Sequence, residues 1–420
     1  MAERKNKPES PVAEELARKH ALFSVRSNWV MGVRGFEDLG EVRLGDTPLV
    51  IHDLNGQALF YEFAVFEGDR EIGLVKASAS GLIGSAVPQV QITPRRWNPD
   101  AAKSKTRDIM KKRYPKAKIS ESDLVCYSYP KIGVRYRIDD PEMGEGSVIF
   151  DAGSLDQVEE FGSDQLEGFT SWSFYQEIPQ AERGAREQRF EHLTKALEVA
   201  EAEMPALLGT TLKSRDLKDL KTSYSRFFQK KSGMVIKPVQ PIEPIKPYTE
   251  RIIKFGPHCT THNCYRLLAQ QTNVYCAVAT GQMILDFYRY YASQDQIATA
   301  MGTTGSGSTN QGQANAYVSL SNKCLTATID TTADWTEAKS EIEANRPLKS
   351  GISGHARACF GYKHARFWLV NQPQPRWLYI LDPWPWNANI CAGGAEYWED
   401  WYAINHTNFI YVRHRTTTCA

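Results

Sequence analysis

Between Tyr275 and Tyr291 apolar residues fall on nearly every side of a helix, Val278, Met283, Ile284, Leu285 and Phe287 among them. A helix without a polar face must be enclosed by other elements, so this segment is expected to be the central helix of a domain. Gly281 leaves room there for a neighbour to pack closely. Cys276 stands at the helix start. A helix N-terminus carries partial positive charge and free N–H groups, which favour the thiolate over the thiol. Six residues upstream, Gln270 supplies an amide of the kind that steadies the oxyanion formed when a thiolate attacks a carbonyl. A lone Cys at such a place is more often a small buried hydrophobe, so the downstream residues decide the matter.

Those residues read Gly351-Ile352-Ser353-Gly354-His355-Ala356-Arg357-Ala358-Cys359-Phe360-Gly361-Tyr362. Glycines bracket an alternating segment, which predicts a strand entered through a tight turn with His355 at its lip. Two further strand-like runs follow, Arg366 to Asn371 and Arg376 to Leu381, the second ending in Asp382-Pro383-Trp384-Pro385. A carboxylate at a strand end beside a histidine at a neighbouring strand start is the relation a triad needs. The acid fixes the imidazole tautomer, and the imidazole takes the thiol proton. Singly, His355 reads equally as a capping histidine and Asp382 as an ordinary Asp-Pro turn. Their order and setting together favour catalysis.

Gln270 with Cys276, Gly354-His355 with Gly361-Tyr362, and Leu381-Asp382-Pro383-Trp384 resemble papain-like cysteine peptidases, most closely the compact bacterial branch of bacteriocin-processing and effector-type proteases. The resemblance spans about Cys259 to Arg415. It implies an α+β fold with a helix packed on an antiparallel sheet. It also implies Cys276 as nucleophile, His355 as base then acid, Asp382 as the orienting residue and Gln270 in the oxyanion hole. Ala277 departs from the Trp that follows the Cys in many relatives. Asp382 fits the compact branch, where papain relatives often carry Asn. Gln271 competes with Gln270, and the spacing favours Gln270. The activity implied is hydrolysis of a peptide or protein through a thioester. Deamidases, transglutaminase-like transferases and cell-wall amidases share this chemistry, and a non-catalytic binding module stands as the rival of another class.

A chain of 420 residues suggests two domains. The net charge of +1 argues against nucleic acid or anionic membrane held by bulk electrostatics. No apolar run approaches the roughly 20 residues of a membrane span. Met1 to His20 is charged and lacks an apolar core, so no secretory signal is expected. With one of eight cysteines given to catalysis an odd number remains, so a complete disulfide framework is not expected. The expected location is the cytoplasm, with signal-less export as the alternative. Neither cofactor nor metal is expected.

Residues 1–30 read as a charged leader running into an amphipathic helix with Val12, Leu16 and Leu22 on its apolar face. Residues 31–180 read as an α+β module, with a hairpin of Ala58–Phe66 and Ile72–Ala79, a basic helix near Thr106–Tyr114, and strands Leu124–Tyr129 and Gly133–Ile138. This module is similar to the pro-segments of some secreted bacterial peptidases; a binding or dimerisation domain is the alternative. Within the helical segment 181–235, Phe190, Leu193, Leu197, Ala200, Met204 and Leu207 form one stripe. Glu182, Arg186 and Phe190 match half of a propeptide helix motif, whose remaining positions hold Leu193, Leu197 and Glu201. Residues 236–250, with proline at every third position, predict an extended linker before the domain 251–420. This order suggests a zymogen, with the N-terminal part covering the cleft until the linker is cut.

His258, Cys259, His262 and Cys264 crowd four metal-ligand types together without a second distant pair, which favours a local disulfide or plain thiols over zinc. Gly302 to Gly312 reads as a polar loop without the ending of a phosphate-binding loop, either mobile or bordering the cleft. Trp384, Trp386, Trp398 and Trp401 are expected to pack, and Trp384 or Trp386 to shield the histidine–carboxylate hydrogen bond.

Overall fold

The computed structural model describes residues 10–37, 39–142, 144–158, 167, 171–209, 220, 248–253, 267–365 and 375–415. Helix α1 (Glu14–Met31) closes at Gly32, whose φ of 62° is a left-handed cap. Ala17, Ala21, Val25 and Trp29 are its buried stripe, while Leu16 and Leu22 sit half-buried beside it. Strands β1 (Val42–Leu44), β2 (Leu49–Asp53), β3 (Ala58–Glu67), β4 (Arg70–Ser78) and β5 (Gln89–Gln91) follow. Gly68, at φ 59°, turns β3 into β4.

Helix α2 (Pro99–Arg113) begins earlier than its basic stretch suggests. Asn98 caps it by accepting from the Ala101 N–H, and Pro99 occupies the first turn, where no N–H is missed. Then come β6 (Lys118–Ile119), β7 (Asp123–Ser128), β8 (Lys131–Asp140), β9 (Gly144–Asp151), the short helix α3 (Phe174–Glu177) and α4 (Arg183–Glu203).

Strand β10 (Tyr248–Ile252) precedes the central helix α5 (Cys276–Phe287). After it run α6 (Gln294–Met301), α7 (Asn310–Leu320), β11 (Leu325–Asp330), α8 (Trp335–Glu343), β12 (Leu348–Ile352), β13 (His355–Ala365), β14 (Arg376–Asp382), β15 (Ala395–Asp400) and β16 (Asn408–His414). The expected strand Arg366–Asn371 lies outside the described residues. So do residues 236–247 of the expected linker. Its last residues, from Tyr248, instead pair with the half of β13 that β12 leaves open. An extended, proline-spaced stretch reads the same whether it crosses solvent or enters a sheet.

The chain is an α+β protein, and its described strands join one sixteen-stranded sheet in the order β11-β16-β12-β13-β14-β15-β5-β4-β3-β2-β7-β8-β6. β1, β10 and β9 attach beside β3, β13 and β8, and every pair but β2–β7 is antiparallel. Sheet continuity across β15 and β5 ties the two halves of the chain together.

Side chains alternate between faces with a period of two. On one face Ala356, Ala358 and Phe360 are fully buried, and the two alanines let α5 lie close. Gly281 of α5 is approached by the Met301 methyl, which leaves no space for a β-carbon without movement. The register puts Ser350, His355, Arg357, Asp382, Tyr397, Glu399, Gln89, Lys76 and Glu62 on the opposite face. All nine are buried. Lys76 donates to Gln89 at 2.7 Å and lies 3.5 Å from Glu62, which also holds Arg95 at 2.9 Å. Removing one partner of such a pair strands a buried charge. Glu62→Ala is expected to lower the unfolding free energy by roughly 3 kcal/mol in urea titrations, whereas a change below about 1 kcal/mol would show the pair to be dispensable.

Candidate active site

His355 enters β13 directly after the turn residues Ser353 and Gly354, and Gly354 sits at φ 65°, where a side chain is strained. Its Nε2 lies 2.8 Å from Asp382 Oδ1 at the end of β14. An ionised carboxylate only accepts, so Nε2 carries the proton and Nδ1 the lone pair. Nδ1 makes no hydrogen bond within the protein. Asp382 is satisfied on both oxygens: Oδ1 also accepts from the Trp384 N–H at 2.8 Å, and Oδ2 from the Tyr397 hydroxyl at 2.7 Å.

Cys276 is the first residue of α5, and no side chain caps that end. The backbone N–H groups of Ala277 and Ala356 favour its thiolate, and α5 packs on the strand β13 that begins at His355. Gln270 is also buried. Its amide N–H donates to Thr272 O at 2.7 Å, and its backbone is tied to Pro383 and Asn387, in the loop that follows Asp382. The structure therefore gathers His355, Asp382 and the Cys276 backbone environment at one end of the sheet, with Gln270 anchored to the same loop. Gln271 instead donates its N–H to Gln294.

Burial controls the ionisation of these groups. It pushes the Cys276 thiol up, against the opposing pull of the Lys131 ammonium. It pushes His355 down to about 4, although Asp382 pulls the other way. Burial also disfavours the Asp382 carboxylate, but His355, Arg357 and the Trp384 N–H outweigh it and hold that acid below its usual range. The resting pair is a thiol beside a neutral imidazole.

The N-terminal half reaches into this region. Lys131, buried at the start of β8, donates to Gly354 O at 3.5 Å. Burial holds its ammonium below its usual value, against the pull of Asp151, Asp382, Glu167 and, when ionised, Cys276. Asp151, at the end of β9, accepts from the Tyr127 hydroxyl at 2.6 Å and from the Trp384 indole at 2.8 Å. Trp384 thus reaches the candidate acid through its backbone, while its ring nitrogen bonds to the N-terminal half. The expected polar loop 302–312 is partly ordered by the same half: Ser308 and Glu167 exchange two backbone hydrogen bonds, and Asn310 opens α7. Glu167 also pairs with the buried Lys349.

Lys131 and Tyr397 were not identified from sequence. Lys131 follows a Tyr129-Pro130 turn, and Tyr397 sits in an alternating strand; neither carries a motif. The available signal was weaker: Arg357 and Glu399 place charge inside strands whose neighbours are apolar, and a buried charge requires partners. Among the described residues no cluster of three or more His, Cys, Asp or Glu suits a metal, and the group His258–Cys264 lies outside them. Cys324 and Cys391 are disulfide-bonded, while Cys126, Cys276 and Cys359 are free, so the framework is not a complete one.

Because the folded pKa of His355 lies below its unfolded value, the neutral form stabilises the protein above about pH 6.5. That contribution is lost as pH falls toward 4. His355→Gln is expected to lose less stability than wild type between pH 7 and 5, by on the order of 2 kcal/mol in urea titrations; equal losses would overturn the assignment of a buried neutral imidazole.

Residues 263–407 match the model of the Peptidase_C39 like family. Among solved structures, the peptidase domain of Streptococcus ComA, a bi-functional ABC transporter involved in a quorum-sensing pathway, is 15% identical. The match covers 36% of this chain and 99% of that one, with a TM-score of 0.26. UfSP from C. elegans is 12% identical over 68% of this chain and 61% of its own, also with a TM-score of 0.26; this chain therefore spans less than two thirds of that protein. No curated protein matches the chain. The family match supports a papain-like cysteine peptidase domain in the C-terminal part of this chain.

Proposed function

We propose that the chain is a cysteine-dependent hydrolase of peptides or proteins. The observation that carries this reading is the His355 Nε2–Asp382 hydrogen bond, which leaves Nδ1 unbonded at the start of the strand on which α5 packs, with Cys276 as the first residue of that helix. Nδ1 takes the thiol proton as sulfur attacks the substrate carbonyl. The backbone N–H at the start of α5 and the Gln270 amide then bear the oxyanion. The imidazolium returns its proton to the leaving amine, which breaks the C–N bond and leaves a thioester. Water, deprotonated by His355, attacks the thioester; the carboxylic acid departs and the thiol is restored.

The N-terminal half serves in this reading as an intramolecular inhibitor. Cys276, His355 and Asp382 are each 0% exposed, and no peptide reaches a carbonyl-attack geometry while they stay so. The turn from Ser128 to Lys131 and the Asp151–Trp384 bond close the site from the N-terminal side. Cutting the linker alone does not remove this cover, because β5 remains hydrogen-bonded to β15. Activation therefore involves displacement of the Ser128–Lys131 turn. The disulfides at Cys324 and Cys391 favour an oxidising compartment over the cytoplasm.

The test is iodoacetamide labelling of the full chain with site mapping, together with mass-spectrometric detection of cleaved peptides. Wild type is expected to label slowly at Cys276, and Lys131→Ala at least about tenfold faster, with cleavage abolished by Cys276→Ala and His355→Ala. Loss of the ammonium alone raises the thiol pKa and slows labelling, so acceleration isolates the opening. Labelling of Cys276 in Lys131→Ala that does not depend on His355 would overturn the hydrolase reading. A Lys131→Ala protein no faster than wild type would overturn the inhibitory role.

A further inference from the structure

The Asp382 carboxylate has no solvent contact, so its orientation depends entirely on protein donors. Oδ1 takes His355 Nε2 and the Trp384 N–H, both at 2.8 Å. Oδ2 takes the Tyr397 hydroxyl at 2.7 Å. Tyr397 is itself fully buried on β15, two residues from Ala395, which faces Asp382 in the ladder. Strand alternation puts the phenol on the face of the carboxylate.

The phenol is held from behind. Arg357 Nη1 lies 3.4 Å from its oxygen. A guanidinium only donates, so the tyrosine proton is directed to Asp382. Arg357 is paired in turn with Glu399 and donates through Nη2 to Ser350 Oγ at 3.2 Å. The Tyr129 hydroxyl lies 3.4 Å from Gln89 Oε1. Charged and titratable groups thus face this carboxylate from β13 (His355, Arg357), β15 (Glu399) and β8 (Lys131), and each has a partner of its own.

We infer that Tyr397 is a positioning residue for Asp382: its hydroxyl fixes Oδ2 so that Oδ1 stays on His355 Nε2, and Arg357 with Glu399 fixes the hydroxyl. The inference rests on the hydrolase reading for its kinetic consequence, but not for its spectroscopic one. Without that donor, Oδ2 is a buried oxygen lacking a partner, and the carboxylate turns or takes up a proton. Either change alters the tautomer and titration of His355.

The experiment compares wild-type full chain with Tyr397→Phe, both labelled with 15N-histidine, the His355 signals being assigned from His355→Gln. Wild type is expected to show His355 protonated on Nε2 alone near neutral pH. Tyr397→Phe is expected to show a mixed tautomer or a His355 titration displaced upward by about half a unit or more. With a cleaved peptide as substrate, kcat is expected to fall about 10- to 100-fold while KM stays within about twofold. A buried tyrosine with only a packing role would lower thermal stability and leave tautomer, titration and kcat unchanged; that result overturns the inference. If Tyr397→Phe does not fold, Glu399→Gln is measured the same way, and an unchanged His355 signal there overturns it equally. A displaced His355 signal in a chain without His355-dependent cleavage supports the positioning role and sinks the hydrolase reading, so the two failures are separable.

Discussion

Alternation along β12 to β15 governs the molecule. One face carries small and aromatic residues, including Ala356, Ala358 and Phe360, onto which the apolar helix α5 closes. The other carries His355, Arg357, Asp382, Tyr397 and Glu399. A one-residue slip in any of these strands would exchange the two sets. The slip would bury the charges under α5 and turn the alanines toward the N-terminal half. The candidate site residues and the packing residues are thus specified by the same register. Because the register continues through β5, β4 and β3, the polar face extends to Lys76 and Glu62.

The electrostatics follow from enclosure. A thiol pushed up and an imidazole pushed down to about 4 do not form an ion pair at rest. The ammonium of Lys131, supplied from the opposite half of the chain, acts on the thiol instead, as does that of the buried Lys349. Readmission of water would weaken the burial effects on both groups and move them toward the ionised pair. Opening the site and activating its nucleophile are therefore one physical event in the proposed scheme.

Much of the site region was legible because its cues are local. Apolar residues on all sides marked α5, and glycines bracketed the strand that begins at His355. An Asp-Pro step marked the end of the strand carrying Asp382. Lys131 and Tyr397 were not legible. Lys131 acts on Cys276 across a long sequence separation, and the importance of Tyr397 lies in a phenol proton that sequence does not reveal. The strand β10 was hidden by the proline-spaced stretch that leads into it, since an extended backbone has one appearance in a linker and in a sheet. The reading of two units joined by a tether likewise missed the β5–β15 ladder, because strand pairing between distant segments leaves no periodic trace in either.

That ladder has a consequence for handling the protein. Severing the backbone between residues 230 and 247 would generate two fragments still zipped edge to edge, with Trp398 opposite Val90 and Glu399 opposite Gln89. They would travel as a single particle through a sizing column and part only under denaturant. Hydrodynamic radius is accordingly a poor gauge of maturation here.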